Sequence, residues 1–234
     1  MARVTMKPQA RRAALLDAAG AVCREVGWGQ VSVEAVTERA GVSKGLFYNY
    51  FDSKDDLRLA MAERFSDALF TYLEQAAGQT SGTALERLKA ILDASMDYKT
   101  AHLQSGVDLV ALLYEPGNEP LRHQFFHSWE QTTRRFLRPV VELALSDRTF
   151  LVDDVECTCD FILGLWFDYA DRLWRRARLA PPEELADVML TGSKAMMKAQ
   201  ARLLGLPEDT FPIAIEPPVA EAIESLNESL QGEK

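Results

Sequence analysis

Apolar positions recur along the chain mostly at three- and four-residue spacing, and no run alternates in the period of two that a strand requires. Leu15, Ala19, Val22 and Val26 share one face of a helix predicted from about Pro8 to Val26, with Leu16 and Cys23 beside them, and Gly27 stops it. Ser32 reads as the N-cap of a short helix ending at Gly41, with Glu34 in the first turn, where the helix dipole favours an acid. Ser43 caps a second short helix reaching Tyr50 or Phe51, and Ser53-Lys54-Asp55-Asp56 opens a long one to about Ala77.

Past Gly78–Gly82, Thr83 and Glu86 open a helix that carries Leu85, Leu88, Leu92, Ser95, Met96 and Lys99. A break near Gly106 precedes a shorter helix, Val107–Tyr114. Asn118 or Glu119 starts the next, which runs to about Leu145 and in which Pro139 predicts a kink or an end. Asp153 and Glu156 open a helix to about Leu179, and Glu183–Leu204 is the last long one. The pattern predicts an all-α chain of about nine or ten helices. It divides into a segment 8–55 with three short helices, a larger helical part 56–210, and a tail 211–234 containing Pro212, Pro217, Pro218 and one short amphipathic stretch.

Charge changes this picture. The 234 residues carry 26 Lys/Arg against 35 Asp/Glu, a net of −9. Residues 1–60 hold 9 basic and 7 acidic residues, a net of +2, leaving 17 against 28, or −11, for the remainder. Arg3, Lys7, Arg11 and Arg12 meet no acid in the first twelve residues. The N-terminal quarter can therefore approach an anion that the rest of the chain would repel. The apolar stretch Ala13–Cys23 is interrupted by Asp17, so it is no secretory signal. Phe161–Phe167 is far too short to span a membrane. Cys23, Cys157 and Cys159 make no even disulfide framework, and a cytoplasmic location is expected.

The segment Phe47-Tyr48-Asn49-Tyr50-Phe51 places four aromatics in five positions. At about 100° per residue, Leu46, Phe47, Tyr50 and Phe51 fall on one arc and Lys44, Gly45, Tyr48 and Asn49 on the other. The first arc suits a core. The second joins a cation, an amide, a phenol and a glycine that allows close approach. Two short helices joined by a tight turn are the geometry of a helix-turn-helix, whose second helix enters the DNA major groove. There Lys44 can meet phosphate or guanine, Tyr48 phosphate or a thymine methyl, and Asn49 adenine or phosphate. Ser43 can donate to phosphate, and Lys54 with the following helix N-terminus offers a second anion site. Two packed surface helices with a solvated polar face account for the same periodicity.

The dense set Gly27-Trp28, Ser32, Val33, Val36, Ala40-Gly41-Val42-Ser43, Gly45, Phe47-Tyr48, Tyr50-Phe51, Ser53-Lys54 and Leu57 resembles the DNA-binding domain of the TetR family of transcriptional regulators. The resemblance covers residues 8 to about 60. Thr37 stands where the family often has Ala, and Tyr50 where His is common, which bears on the bases read. It implies an N-terminal three-helix helix-turn-helix domain and a larger C-terminal helical domain for ligand binding and dimerisation. It also implies a homodimer on a palindromic double-stranded DNA operator, usually a repressor, released by a small-molecule effector, with no cofactor.

On that resemblance, DNA contacts fall to Ser32, Val33, Val42, Ser43, Lys44, Gly45, Tyr48, Asn49, Tyr50 and Lys54. The effector site falls among Phe65, Met96, Tyr98, His102, Phe125, Phe126, Trp129, Trp166, Phe167 and Tyr169, with Phe70 and Trp174 nearby, a lining suited to a flat or apolar compound. The dimer seam takes Gly164, Leu185, Met189, Gly192, Met196 and Ala199 from the last two long helices, with an intramolecular core stripe as the alternative. The helix beginning at Ser53 joins both domains and would transmit the switch.

Other chemistry has weaker support. His123 and His127 have metal-ligand spacing but no identifiable third ligand, so no metal is expected. Cys157 and Cys159 are two apart on a helix and point to opposite sides. No phosphate loop, nucleophile elbow or HExxH pattern accompanies the three histidines, which argues against an enzyme. The rival function is a helical small-molecule-binding module without DNA activity, and substitution of Lys44, Tyr48 and Asn49 distinguishes the two.

Overall fold

The computed structural model describes residues 8–26 and 30–213, and among them helices and turns are the only regular structure. The helices are α1 (Pro8–Val26), α2 (Val33–Ala40), α3 (Lys44–Phe47), α4 (Lys54–Gln79), α5 (Ala84–Ala101), α6 (Leu103–Tyr114), α7 (Glu119–Asp147), α8 (Val155–Leu163), α9 (Ala170–Ala177) and α10 (Leu185–Leu203). Gly27, Trp28, Arg3, Lys7 and the tail beyond residue 213 lie outside the described residues.

The chain divides into two compact units. The first takes the described residues up to Asp67, together with Gln104–Leu112 of α6. Its core is the predicted apolar face of α1 (Leu15, Leu16, Ala19, Val22, Cys23), without Val26, which is exposed at the helix end, closed by Val31, Val36, Phe47, Phe51 and Leu57. Arg64 donates to Asp17 at 2.7 Å, and the Cys23 thiol donates to Asp108 of α6 at 2.9 Å. The second unit takes Ala68–Leu103 and the described residues from Leu113 onward. Its core is built from Leu88 and Ile91 of α5, Leu137 and Val141 of α7, and Ile162, Leu163, Leu185 and Leu204 from the C-terminal helices.

Capping explains most helix starts. The Thr83 hydroxyl accepts from the Glu86 N–H at 3.2 Å while the Glu86 carboxylate accepts from the Thr83 N–H at 2.7 Å, the reciprocal box expected. A distant residue reinforces it: Asp147 accepts from the Ala84 N–H at 2.6 Å. Asp154, rather than Asp153, caps α8 by accepting from the Cys157 N–H at 2.8 Å.

Four boundaries differ from the sequence expectation. Gly106 lies inside α6, which starts at Leu103. Glycine is merely a weak helix former, and the interruption falls instead at His102, where φ is −121° and ψ 35°. Pro139 does not end α7. Its ring removes a bond to the carbonyl of Arg135, and both residues sit on the exposed side where water can replace that bond. The predicted helix to Leu179 is one rod, α8 to α9, with a π-helical segment at Gly164–Tyr169. Glu183 belongs to a 3₁₀ turn, Pro182–Glu184, that precedes α10.

Candidate nucleic-acid interface

Ser32 stands in the extended conformation (φ −122°, ψ 156°) and its hydroxyl accepts from the Ala35 N–H at 3.1 Å, starting α2. Gly41 ends α2 with φ 66°, a left-handed conformation that costs a non-glycine residue about 1–2 kcal/mol. The N–H groups of Gly41 and Val42 return to the carbonyls of Glu38 and Thr37 at 3.1 and 2.9 Å. That closure turns the chain sharply, and Ser43 caps α3 by accepting from the Leu46 N–H at 3.2 Å.

The regular helix of α3 covers only four residues, shorter than expected. Hydrogen-bonded turns continue it, with the Tyr50 and Phe51 N–H groups both reaching the Phe47 carbonyl at 2.9 and 3.1 Å. The facing therefore survives the shortening. Phe47 and Phe51 are buried against each other with ring centroids 5.5 Å apart, and Leu46 and Tyr50 are half-buried. Ser43, Lys44, Gly45 and Asn49 are exposed, and Tyr48 is 55% exposed, standing edge-on to Phe47 at 5.3 Å. Ser32, Val33, Val42 and Lys54 are half-buried at the margin.

Two features of this surface were not legible in the sequence. Lys44 forms an ion pair with Glu34 of α2, and the Lys44 ammonium holds the Glu34 carboxyl below the usual carboxylate range. Arg12 of α1 places its guanidinium 5.2 Å from the Phe51 ring centroid, a cation–π contact that seats α1 on the α3 turn.

Within the second unit, four of the residues expected at an effector site come together around Trp129. Its ring meets Phe125 and Phe126 edge-on at 5.5 and 5.2 Å, and Phe126 reaches Phe167 at 6.4 Å. Phe70 joins at 6.1 Å. Tyr98 and His102 form a separate stack at 4.1 Å, with Tyr72 5.5 Å from Tyr98. Met96 is exposed on the outer side of α5. Trp166 and Tyr169, both in the π segment, turn toward α10, where the indole N–H donates to Gln200 at 2.6 Å and the phenol donates to the Gly192 carbonyl at 3.3 Å. Phe65 falls in the first unit, 3.7 Å from the position a Cβ would take at Gly106.

The expected dimer stripe splits. Leu185 and Gly192 are buried inside their own unit, and a Cβ on Gly192 would lie 2.2 Å from Leu173. Gly192 serves α9–α10 packing, because the glycine lets α9 approach closely. Gly164, Met189, Met196 and Ala199 remain half-buried.

A polar cluster escaped the periodicity entirely, since its members sit on three helices. Buried Arg122 contacts Asp171 at 3.2 Å, donates to the Leu113 carbonyl at 3.2 Å and stands 4.9 Å from the Tyr114 ring centroid. The Tyr114 hydroxyl donates to Asp171 at 2.8 Å; burial and this carboxylate raise the phenol pKa. Arg178 donates to the Tyr114 carbonyl at 2.8 Å. Among the described residues no group of three or more His, Cys, Asp or Glu could hold a metal ion, and the His127 ring nitrogen meets the Gln131 amide at 2.8 Å. No described helix is long and apolar enough to cross a membrane.

The first unit is thus a helix-turn-helix with an uncovered polar-aromatic face, set in an all-α chain. Residues 15–61, which hold the helix-turn-helix, match the bacterial regulatory proteins of the tetR family. It is 36% identical over 88 residues to the HTH-type transcriptional activator FasR of Mycolicibacterium smegmatis, a match covering 38% of this chain and 40% of that protein. It is 26% identical over 181 residues to the HTH-type transcriptional regulator BetI of Pectobacterium atrosepticum, covering 77% and 88%. The first relatives are matched over 40% to 56% of their own lengths, so the chain spans about half of each. The crystal structure of reduced Escherichia coli NemR superposes with a TM-score of 0.52 over 95% of this chain and 96% of that one at 16% identity, a likeness of fold.

Proposed function

We propose that the protein is a sequence-specific DNA-binding regulator that binds a palindromic operator as a homodimer and is released from it by a small, largely apolar or aromatic effector. The observation that carries this reading is the exposed set Lys44, Gly45, Tyr48 and Asn49, held outward by buried Phe47 and Phe51. A cation, an amide and a phenol on one rigid turn can pair with phosphates and base edges, and a glycine among them lets the backbone approach. Ser43, Val42 and Lys54 flank this set; Ser32, Val33 and Tyr50 support it.

What the C-terminal helices leave uncovered supports a homodimer. Phe161 is 58% exposed on α8, and Ala195 and Leu203 are exposed on α10 beside half-buried Met189, Met196 and Ala199. Two copies joined there would present two recognition turns to successive major grooves, about 34–36 Å apart. The Trp129 cluster supplies the apolar effector site. Occupancy shifts the population away from the DNA-matching form. Repression is the sign we assign, although FasR is named an activator.

The test is selection of bound duplexes from a random pool at physiological salt, where non-specific phosphate binding is weak. An enriched inverted repeat, lost in Lys44→Ala, Tyr48→Ala and Asn49→Ala, is the expected result. Enrichment that survives all three substitutions overturns the assignment of the recognition face.

A further inference from the structure

Several cations of the first unit are each met by a carboxylate: Lys44 by Glu34, Arg39 by Glu25 and Arg64 by Asp17. Arg12, in the second turn of α1, is exposed and is held in another way. Among the described residues no carboxylate meets it, and its guanidinium lies 5.2 Å from the Phe51 ring centroid, within cation–π range. Phe51 is 1% exposed, so the ring is fixed in the core and gives the arginine a rigid seat.

The manner of holding decides what the group can still do. An ion pair occupies donors of a cation, as Glu34 does for Lys44. A ring offers no lone pair, so a guanidinium held by one keeps its N–H donors for another acceptor. The side chain is already seated, and less rotamer freedom is lost when that acceptor arrives. A phosphate can take two of those donors at once and brings the opposite charge. The seat also lies beside the recognition turn. Ring contacts of 5.3 Å from Tyr48 to Phe47 and 5.5 Å from Phe47 to Phe51 lead from the outward phenol to the ring that holds Arg12. A major groove is only about 12 Å wide, so an element inserted there has phosphates on both flanks within the reach of such contacts.

We propose that Arg12 is a phosphate ligand in the DNA complex, held ready by Phe51 on the flank of the recognition turn, so that α1 takes part in the interface. This rests on the reading of the first unit as a DNA-binding domain and adds to it a contact from outside the helix-turn-helix. The contact reads no base and contributes equally to every sequence. It differs from that of Lys44, which must first leave Glu34.

The test is titration of the full chain with the duplex enriched by selection and with a scrambled duplex of the same length, from about 50 to about 200 mM salt. Arg12→Met keeps an apolar stem and removes the charge. It should weaken binding to both duplexes by the same factor and make the slope of log K against log salt shallower by about 1. The gap between parent and variant should then close about fourfold across that salt range. Arg12→Lys should keep the parent slope but bind less tightly, because an ammonium lacks the planar fork. In a Phe51→Leu background, which fills the core without a ring, Arg12→Met should cost less affinity than in the parent. Phe51→Met takes its place if that chain does not fold. An unchanged slope in Arg12→Met, the result of a purely structural role, overturns the proposal. So does a loss confined to the enriched duplex, which would mean a base contact, or an undiminished effect of Arg12→Met without the ring. These results leave the DNA-binding reading standing, whereas a parent chain that binds neither duplex overturns that reading and the proposal with it.

Discussion

Lys44 and Glu34 form an ion pair that joins the first residue of α3 to the first turn of α2 across the helix-turn-helix. Both side chains are more than half exposed, so the pair adds little to stability. It matters for binding, because a DNA phosphate or guanine must compete with Glu34 for the ammonium. Glu34→Gln is expected to raise DNA affinity severalfold. Lys44→Ala should lower it and reduce the slope of log K against log salt by about 1. Binding measured at three or more salt concentrations checks both. An unchanged slope in Lys44→Ala would place the lysine away from the phosphates.

Gly192 is the contact point of α10 with α9. An added Cβ would meet two methyl groups and the Cγ of Leu173 within 3.0 Å, and Leu173 is itself buried. Gly192→Ala is expected to destabilise by about 1–3 kcal/mol through overpacking. Leu173→Ala alone should cost about 2–5 kcal/mol through the cavity it leaves. The two together should cost less than their sum, since the new methyl fills part of the space vacated. Urea unfolding of the four chains of this cycle measures the coupling, and strict additivity would show that the two residues do not touch.

Helix type and facing were legible wherever one element alone determined them. The buried faces of α1 and the α3 turn, the Thr83 box and the Gly41 closure all follow from local spacing and capping. What escaped depends on residues far apart in sequence. The π segment at Gly164–Tyr169 lets Trp166 and Tyr169 turn toward Gln200 and Gly192, 34 and 23 residues later. Gly192 reads as a residue for close approach, but its partner is Leu173 of the same chain, which periodicity cannot distinguish from a second copy.

Arg122 and Asp171 test the buried polar cluster. The arginine is almost fully covered and the aspartate largely so. Asp171→Ala leaves the guanidinium without its carboxylate and the Tyr114 hydroxyl without its acceptor. A loss of about 3–5 kcal/mol is expected, the scale for breaking one side of a buried pair. Arg122→Met with Asp171→Leu removes both charges and should recover most of that loss. Thermal unfolding of the single and double variants decides it; a double variant no more stable than Asp171→Ala would mean that the pair itself is favourable.

The two cysteines of α8 point to opposite sides, and this has a consequence for pH. Cys157 is exposed, and a hydrogen bond with Asp154 raises its thiol pKa; Cys159 is buried, which pushes its thiol up to about 11 from an ordinary 9.0. Below the ordinary value, native and unfolded chains both keep the Cys159 proton, and its contribution to stability is fully present. Between about 9 and 11 the unfolded thiol ionises while the native one does not, so the unfolded state binds fewer protons and stability falls as pH rises. Tyr114 acts in the same direction at higher pH, because its folded pKa is also raised. The diagnostic quantity is therefore the difference in slope between the parent and Cys159→Ala. Urea midpoints for both at pH 8, 9, 10 and 11, round values spanning that window, should converge as the parent loses the part that depends on this thiol. Parallel lines would mean that the Cys159 thiol ionises as readily in the folded protein as in the unfolded chain.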